Sequence, residues 1–179
     1  MKNNLVLFLC ILFFYSCSEQ QARRPITQKT STIISETIKK NKELIKSENS
    51  FIEDYLAKDS LNTYLTSSYG FWYTYNTRLE KSDSVTPKIG DEVEIEYNIT
   101  DLYNTVIYSK KELGIKSYKI DKEDFIPALQ EGLKLMKVGE TITFVIPSYR
   151  AFGLVGDDHK IGINQTLKST VTLINIKQK

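Results

Sequence analysis

Residues 89–97 read Ile-Gly-Asp-Glu-Val-Glu-Ile-Glu-Tyr and contain three glutamates at alternate positions. Charged and apolar residues alternate through its last six positions. Successive side chains of a β-strand point to opposite faces of the sheet, so Val93, Ile95 and Tyr97 share one face and three glutamates share the other. The stretch therefore predicts a half-buried antiparallel strand that follows a Gly-Asp turn.

Further strands and one short helix are predicted on both sides of this stretch. Phe71, Tyr73 and Tyr75 alternate on one face of a strand that begins at residue 70. The same alternation predicts shorter or later strands at 106–108, 118–120, 141–146 and 166–176. Residues 125–136 have helical apolar spacing. Together these elements predict an α+β fold, a five- or six-stranded antiparallel sheet wrapped around one short helix. The long loop at 147–164 is of a length that is usually functional.

A longer amphipathic helix is predicted before the sheet, from residue 31 to about residue 58. It carries one apolar stripe, formed by Ile34, Ile38, Ile45, Ile52 and Tyr55. The polar residues Asn41 and Glu48 interrupt this stripe and weaken it as a coiled-coil seam. Two interpretations remain open: the helix packs on its own domain, or it is an arm that forms a homodimer or holds a client.

The first 17 residues have the three parts of a secretory signal. A positive start is followed by an unbroken apolar run at 5–15 and by a small residue, Ser16, at the cleavage position. The run is too short to span a bilayer as a helix, which needs about 20 residues. Residues 14–17, Phe-Tyr-Ser-Cys, resemble a bacterial lipobox, so we expect Cys17 to be acylated and to anchor the mature chain to a membrane. The alternative is a plain secretory signal with an incidental cysteine.

Composition excludes several classes of site. A formal net charge of +2 and the absence of a basic stripe argue against nucleic-acid binding. Both cysteines lie in the first 17 residues, so the rest of the chain has neither a disulfide nor a thiolate metal site. His159 is the only histidine, and the Asp157-Asp158 pair alone has too few ligands for calcium. We therefore expect no metal and no cofactor.

Five blocks of the sequence resemble FKBP-type peptidyl-prolyl cis-trans isomerases, in the order and spacing of that family. They are the Gly-Asp strand at 89–97, the Phe-Ile-Pro helix at 125–136, the Val-Gly-Glu to Ile-Pro strand at 138–147, Ala-Phe-Gly at 151–153 and the closing strand from Asn164. The resemblance implies an FKBP-like fold and prolyl isomerisation of proline-containing client polypeptides. The whole layout also resembles the FKBP-type lipoproteins of gliding motility.

The resemblance also implies which residues form the catalytic site. Tyr97 matches the family's hydrogen-bonding tyrosine, and Ile126 matches the isoleucine whose backbone N–H meets the ligand. Phe152 stands where a tyrosine is usual, so it keeps an aromatic wall and lacks the hydroxyl.

Several expected binding residues depart from the family pattern. Ile107 and Tyr108 stand where the family has Phe-Asp, which alters an aromatic wall and an acidic partner. Ser169 replaces a phenylalanine on the last strand. Leu129 replaces the tryptophan that forms the floor of the family's pocket, and we expect Phe125 to fill part of that space. The expected substrate-binding residues are therefore Ile107, Tyr108, Phe125, Leu129, His159 on the long loop, and Ser169.

The sequence thus predicts a lipid-anchored protein of the cell envelope that faces the periplasm. Its expected regions are a signal peptide (1–16), a lipidated tether (17–30), an N-terminal helical region (31–69) and an FKBP-like domain (70–179). The expected function is a membrane-tethered isomerase that assists the folding of extracytoplasmic proteins, such as gliding-motility or secretion components. The alternative is a non-catalytic FKBP-fold chaperone or assembly subunit that binds partners through the same groove.

Overall fold

The computed structural model describes residues 28–80 and 85–179, with side chains from residue 32 onward. The expected signal peptide, Cys17 and most of the expected tether lie outside the described residues. Within those described segments, no helix combines the length and the apolar character that a membrane crossing requires.

The described residues form three α-helices, one 3-10 turn and eight strands. The helices are α1 (Gln28–Leu56), α2 (Lys110–Leu113) and α3 (Pro127–Leu133), and the 3-10 turn is Ser148–Arg150. The strands are β1 (Leu65–Thr66), β2 (Trp72–Thr77), β3 (Glu92–Tyr97), β4 (Ile99–Thr100), β5 (Val106–Tyr108), β6 (Lys116–Lys119), β7 (Thr141–Ile146) and β8 (Leu167–Lys177).

The strands form one antiparallel sheet. Six of them follow the order β1-β2-β7-β8-β3-β6, while β4 pairs with β5 and β8. The eleven-residue β8 pairs with β7 along one edge and with β3 along the other. Every second residue of β3 is buried, in agreement with the alternation in the sequence. The predicted α+β fold is confirmed, and the sheet gains the two-residue strands β1 and β4, which are too short for a periodic signal.

Helix α1 covers one face of this sheet with its C-terminal part. Residues 42–179 form one compact unit, and within it Ile52 and Leu56 pack against Trp72 of β2 and Val145 of β7. Burying two such aliphatic side chains contributes about 3–6 kcal/mol. This part of the helix therefore packs on its own domain, as the first interpretation predicts. In the preceding unit, which ends at Asn41, the isoleucines whose side chains the structure describes, Ile33, Ile34 and Ile38, are exposed to solvent.

Helix α3 covers the other face, and it is shorter than the predicted helix at 125–136. It begins at Pro127, because proline suits the first helical position and disfavours helical geometry in the residue before it. It ends at Leu133, after which Leu135 and Met136 donate to carbonyls three residues earlier and form turns. Ala128, Leu129 and Leu133 are buried in the main core.

One glycine lets α3 approach the sheet. A Cβ atom at Gly132 would lie 2.5 Å from Cε1 of Phe144, a fully buried ring on β7. Real Cβ atoms do not approach a carbon so closely, so any larger residue forces the helix or the ring to move. The glycine is therefore a packing requirement at this position.

We expect Gly132→Ala to lower the free energy of unfolding by about 1–3 kcal/mol, because overpacking outweighs the gain of about 1 kcal/mol in helix propensity. Chemical denaturation followed by tyrosine and tryptophan fluorescence measures this. In a Phe144→Leu background the smaller side chain gives way, and the penalty for Gly132→Ala should shrink. An equal penalty in both backgrounds would contradict the assigned contact.

Candidate functional site

Seven of the nine expected catalytic and binding residues lie on one hydrophobic cluster. Tyr97, Ile126 and Leu129 are buried members of it, and Leu129 is completely covered. The half-buried residues packed against the same cluster include Ile107, Tyr108, Phe125 and Phe152. Strand β3, strand β5, the start of α3 and the loop between β7 and β8 (residues 147–166, the β7–β8 loop) bring them together.

Tyr97, at the end of β3, packs against an aromatic pair formed by Phe125 and Tyr118 through its contact with Phe125. Its ring meets the edge of Phe125 at a centroid distance of 5.5 Å, and Phe125 lies 4.9 Å from Tyr118. Burial raises the pKa of the Tyr97 phenol, so the hydroxyl is neutral and remains a proton donor at physiological pH. None of the described residues forms a hydrogen bond with this hydroxyl. Tyr97 therefore holds an unused donor beside an apolar surface.

A second unused donor comes from the backbone of Ile126. This residue caps α3, and the N–H groups at the start of a helix have no partner within the helix. Its carbonyl accepts from Gln130, whereas its own N–H has no acceptor among the described residues. Because Ile126 follows Phe125 directly, this N–H and the Tyr97 hydroxyl border the same aromatic cluster.

Tyr108 is fastened to the β7–β8 loop. Its hydroxyl donates to Asp157 Oδ2 at 2.5 Å, and Asp157 Oδ1 accepts the backbone N–H groups of Ile161 and His159. The bond to Asp157 raises the pKa of Tyr108. Burial alone would raise the pKa of Asp157, but the bonds from Tyr108 and the backbone hold it below its usual value. A carboxylate therefore stands beside Tyr108, supplied by the loop.

Lys160 adds a cation–π contact and an ion pair at the same place. Its ammonium lies 4.7 Å from the centre of the Tyr108 ring and 2.5 Å from Glu112 Oε1 on α2. Asp157 is not among the site residues that the sequence predicts. One sequence feature could have indicated its role: Asp157 follows a glycine in a loop, where an aspartate commonly accepts backbone N–H groups.

The two remaining expected residues are placed differently. Ser169 is buried on β8, and its hydroxyl donates to the carbonyl of Asn98 at 2.7 Å, so it is already used within the sheet. His159 is exposed on the β7–β8 loop. No hydrogen bond or ring contact joins its imidazole to another described residue.

The chemistry of the site rests on apolar and neutral donor groups. Across residues 28–80 and 85–179, no three His, Cys, Asp or Glu side chains are grouped closely enough to hold a metal ion. The arrangement offers aromatic walls, two free donors and one loop carboxylate that is already engaged.

Two bacterial relatives are similar in sequence. The probable FKBP-type peptidyl-prolyl cis-trans isomerase FkpA of Neisseria meningitidis is 32% identical over 126 residues, which is 70% of this chain and 44% of the relative. The outer membrane protein MIP of Legionella longbeachae is 30% identical over 100 residues, which is 56% of this chain and 42% of the relative. The chain thus spans less than half of the length of either relative.

Two solved structures and one family model also match the chain. FkpA from Escherichia coli matches with a TM-score of 0.59 and 26% identity over 99% of this chain and 82% of its own. A peptidyl-prolyl cis-trans isomerase from Pseudomonas syringae matches in fold, with a TM-score of 0.61 and 21% identity over 76% of this chain and 96% of its own. The family model for the FKBP-type peptidyl-prolyl cis-trans isomerase matches residues 83–174, about half of the chain. The chain belongs to the FKBP-type peptidyl-prolyl cis-trans isomerase family.

Proposed function

We propose that this protein is a prolyl cis-trans isomerase, lipid-anchored in the cell envelope, that assists the folding of extracytoplasmic proteins. Gliding-motility or secretion components are among the clients proposed. One observation carries the catalytic part: two hydrogen-bond donors, the Tyr97 hydroxyl and the Ile126 N–H, have no partner among the described residues and border one aromatic cluster. Because the chain belongs to the FKBP-type family, we assign prolyl cis-trans isomerisation to this arrangement.

The reaction asks little of the side chains. Rotation about an Xaa-Pro bond breaks the amide resonance and faces a barrier of about 18–20 kcal/mol. An apolar wall favours the twisted amide, which is less polar than the planar one. Donors such as Tyr97 and Ile126 can hold the carbonyls that flank the proline. Each ~1.4 kcal/mol of preference for the twisted state accelerates the reaction about tenfold.

A second candidate is binding without catalysis. The observation that favours it is the bond from Tyr108 to Asp157, because this bond takes up the proton of the Tyr108 hydroxyl, which is then not offered to a substrate carbonyl. In this case the same apolar surface holds proline-containing segments of a partner, and the protein acts as a chaperone or an assembly subunit.

An isomerisation assay without a coupled protease, on an Ala-Leu-Pro-Phe peptide, separates the two candidates. We expect the wild-type protein to accelerate the reaction and Tyr97→Phe to lose about fivefold to tenfold in kcat/KM, the value of one hydrogen bond of about 1 kcal/mol. Phe152→Ala should lose activity as well, because it removes an apolar wall.

Tyr69→Phe is the matched control, since it removes the hydroxyl of a tyrosine that is exposed and lies outside the cluster. A wild-type rate equal to the uncatalysed rate would reject the enzyme and leave the binding candidate. Equal acceleration by the wild type and both site variants would reject the assigned site.

The proposed anchor is the acyl-modified Cys17. The lipobox-like end of the signal supports it, and the name of the Legionella relative places that protein in an outer membrane. Two or more acyl chains are needed for stable anchoring. Mass spectrometry of the protein from envelope fractions should find the acyl chains on Cys17, and Cys17→Ser should release the protein and its clients from the membrane. An unmodified Cys17 in the mature protein would reject this part of the proposal.

The proposed partner of the N-terminal helix is a second copy of the chain. Ile34 and Ile38 are about half exposed, although they continue the stripe that is buried at Ile52. We expect sedimentation in density-matched detergent to give a dimer, and Ile34→Lys with Ile38→Lys to give a monomer of unchanged thermal stability. Leu61→Lys, at an exposed position outside the helix, is the control. A monomeric wild type would exclude the dimer.

A further inference from the structure

One carboxylate on helix α1 holds both ends of the β7–β8 loop. Glu48 Oε1 accepts the backbone N–H of Ser148 at 2.6 Å and the hydroxyl of Thr166 at 2.6 Å, while Glu48 Oε2 accepts the hydroxyl of Ser148 at 2.8 Å. Ser148 is the second residue of the loop and Thr166 is its last. The neighbouring Asn49 accepts the hydroxyl of Tyr149 at 3.2 Å. All these residues belong to the compact unit 42–179.

Short bonds connect this anchor to Phe152. The carbonyl of Ser148 accepts the N–H of Ala151 at 3.0 Å and the N–H of Gly153 at 2.8 Å, the two residues on either side of Phe152. The carbonyl of Gly153 then accepts the N–H of Asn164 at 2.7 Å, which closes the loop across its middle. Fixing Ser148 therefore fixes the backbone that carries Phe152.

Hydrogen bonds to a carboxylate are about twice as strong as bonds between neutral groups. Three of them converge on one side chain that lies about a hundred residues before the loop in sequence. Glu48 is also one of the two polar residues that interrupt the apolar stripe of the helix. Its contact with Ser148 and Thr166 explains why a polar residue stands at this position.

We infer that Glu48 is a positioning residue for the isomerase site: it sets the β7–β8 loop so that Phe152 forms the aromatic wall. The inference rests on the proposed function for its effect on activity. Its effect on the loop stands apart from that function. The N-terminal helix is therefore part of the site, although none of its side chains is assigned a contact with the substrate.

Glu48→Ala and Glu48→Gln in the full-length protein test this, with Glu53→Ala as the control. Glu53 is an exposed acid on the same helix, and its side chain forms no hydrogen bond with another described residue. Glutamine keeps the Oε1 acceptor, and a serine hydroxyl can accept from its amide, so it should preserve the contact.

Two readouts are measured well below the unfolding temperature. Amide hydrogen exchange of Ala151 and Gly153 should become about tenfold faster in Glu48→Ala, and stay within about twofold in Glu48→Gln and Glu53→Ala. The KM for the proline peptide should rise about fivefold to tenfold in Glu48→Ala, because a displaced wall binds the peptide more weakly, and kcat should fall by a smaller factor, because the wall then favours the twisted amide less.

Unchanged exchange in Glu48→Ala would overturn the inference, whatever the activity. Faster exchange with unchanged KM and kcat would also overturn it, because Glu48 would then serve only the fold of the loop. If the wild type shows no catalysis, the proposed function fails, while exchange still decides whether Glu48 sets the loop. If Glu48→Ala does not fold, Ser148→Ala decides: it removes the hydroxyl that donates to Glu48 Oε2 without altering the helix, and unchanged exchange at Gly153 would overturn the inference.

Discussion

Strand β7 is buried on both of its faces, and the rest of the structure depends on this. Phe144 points towards α3 and fits against Gly132, while the next residue, Val145, packs under α1 with Ile52 and Trp72. Adjacent residues of a strand face opposite sides, so a shift of one residue in the register would exchange the two layers. The pairing of β7 with β2 and β8 therefore fixes the two helices at once.

Each of these two layers supplies a different part of the site. Helix α3 begins at Pro127, and this start leaves the N–H of Ile126 without an acceptor in the part of the chain that the structure describes. Helix α1 contributes Glu48, which binds the loop that carries Phe152. The apolar layers determine where these elements lie. A few hydrogen bonds at their edges then fix the position of the loop at the site. The bond between Tyr108 and Asp157 acts in the same way at the tip of the loop.

Local periodicity was enough to predict the α+β fold, and the family resemblance supplied the expected site residues. The alternation around Ile95 and the helical spacing around Leu129 depend on residues close in sequence, and family blocks added Tyr97 and Phe152. The sequence missed contacts that join distant parts of the chain. Nothing near Glu48 shows that Ser148 and Thr166 will meet it, and nothing near Tyr108 points to Asp157. Such pairs depend on how the sheet folds back on itself, which residue patterns do not specify.

The most direct test of the whole account is NMR mapping of a proline-containing peptide on the isotope-labelled protein. We expect the largest shifts on the amides of Tyr97, Ile126 and Phe152. Exchange cross-peaks of the peptide should report cis-trans interconversion at a rate that rises with protein concentration. Shifts confined to the exposed isoleucines of α1, with interconversion at the uncatalysed rate, would contradict it.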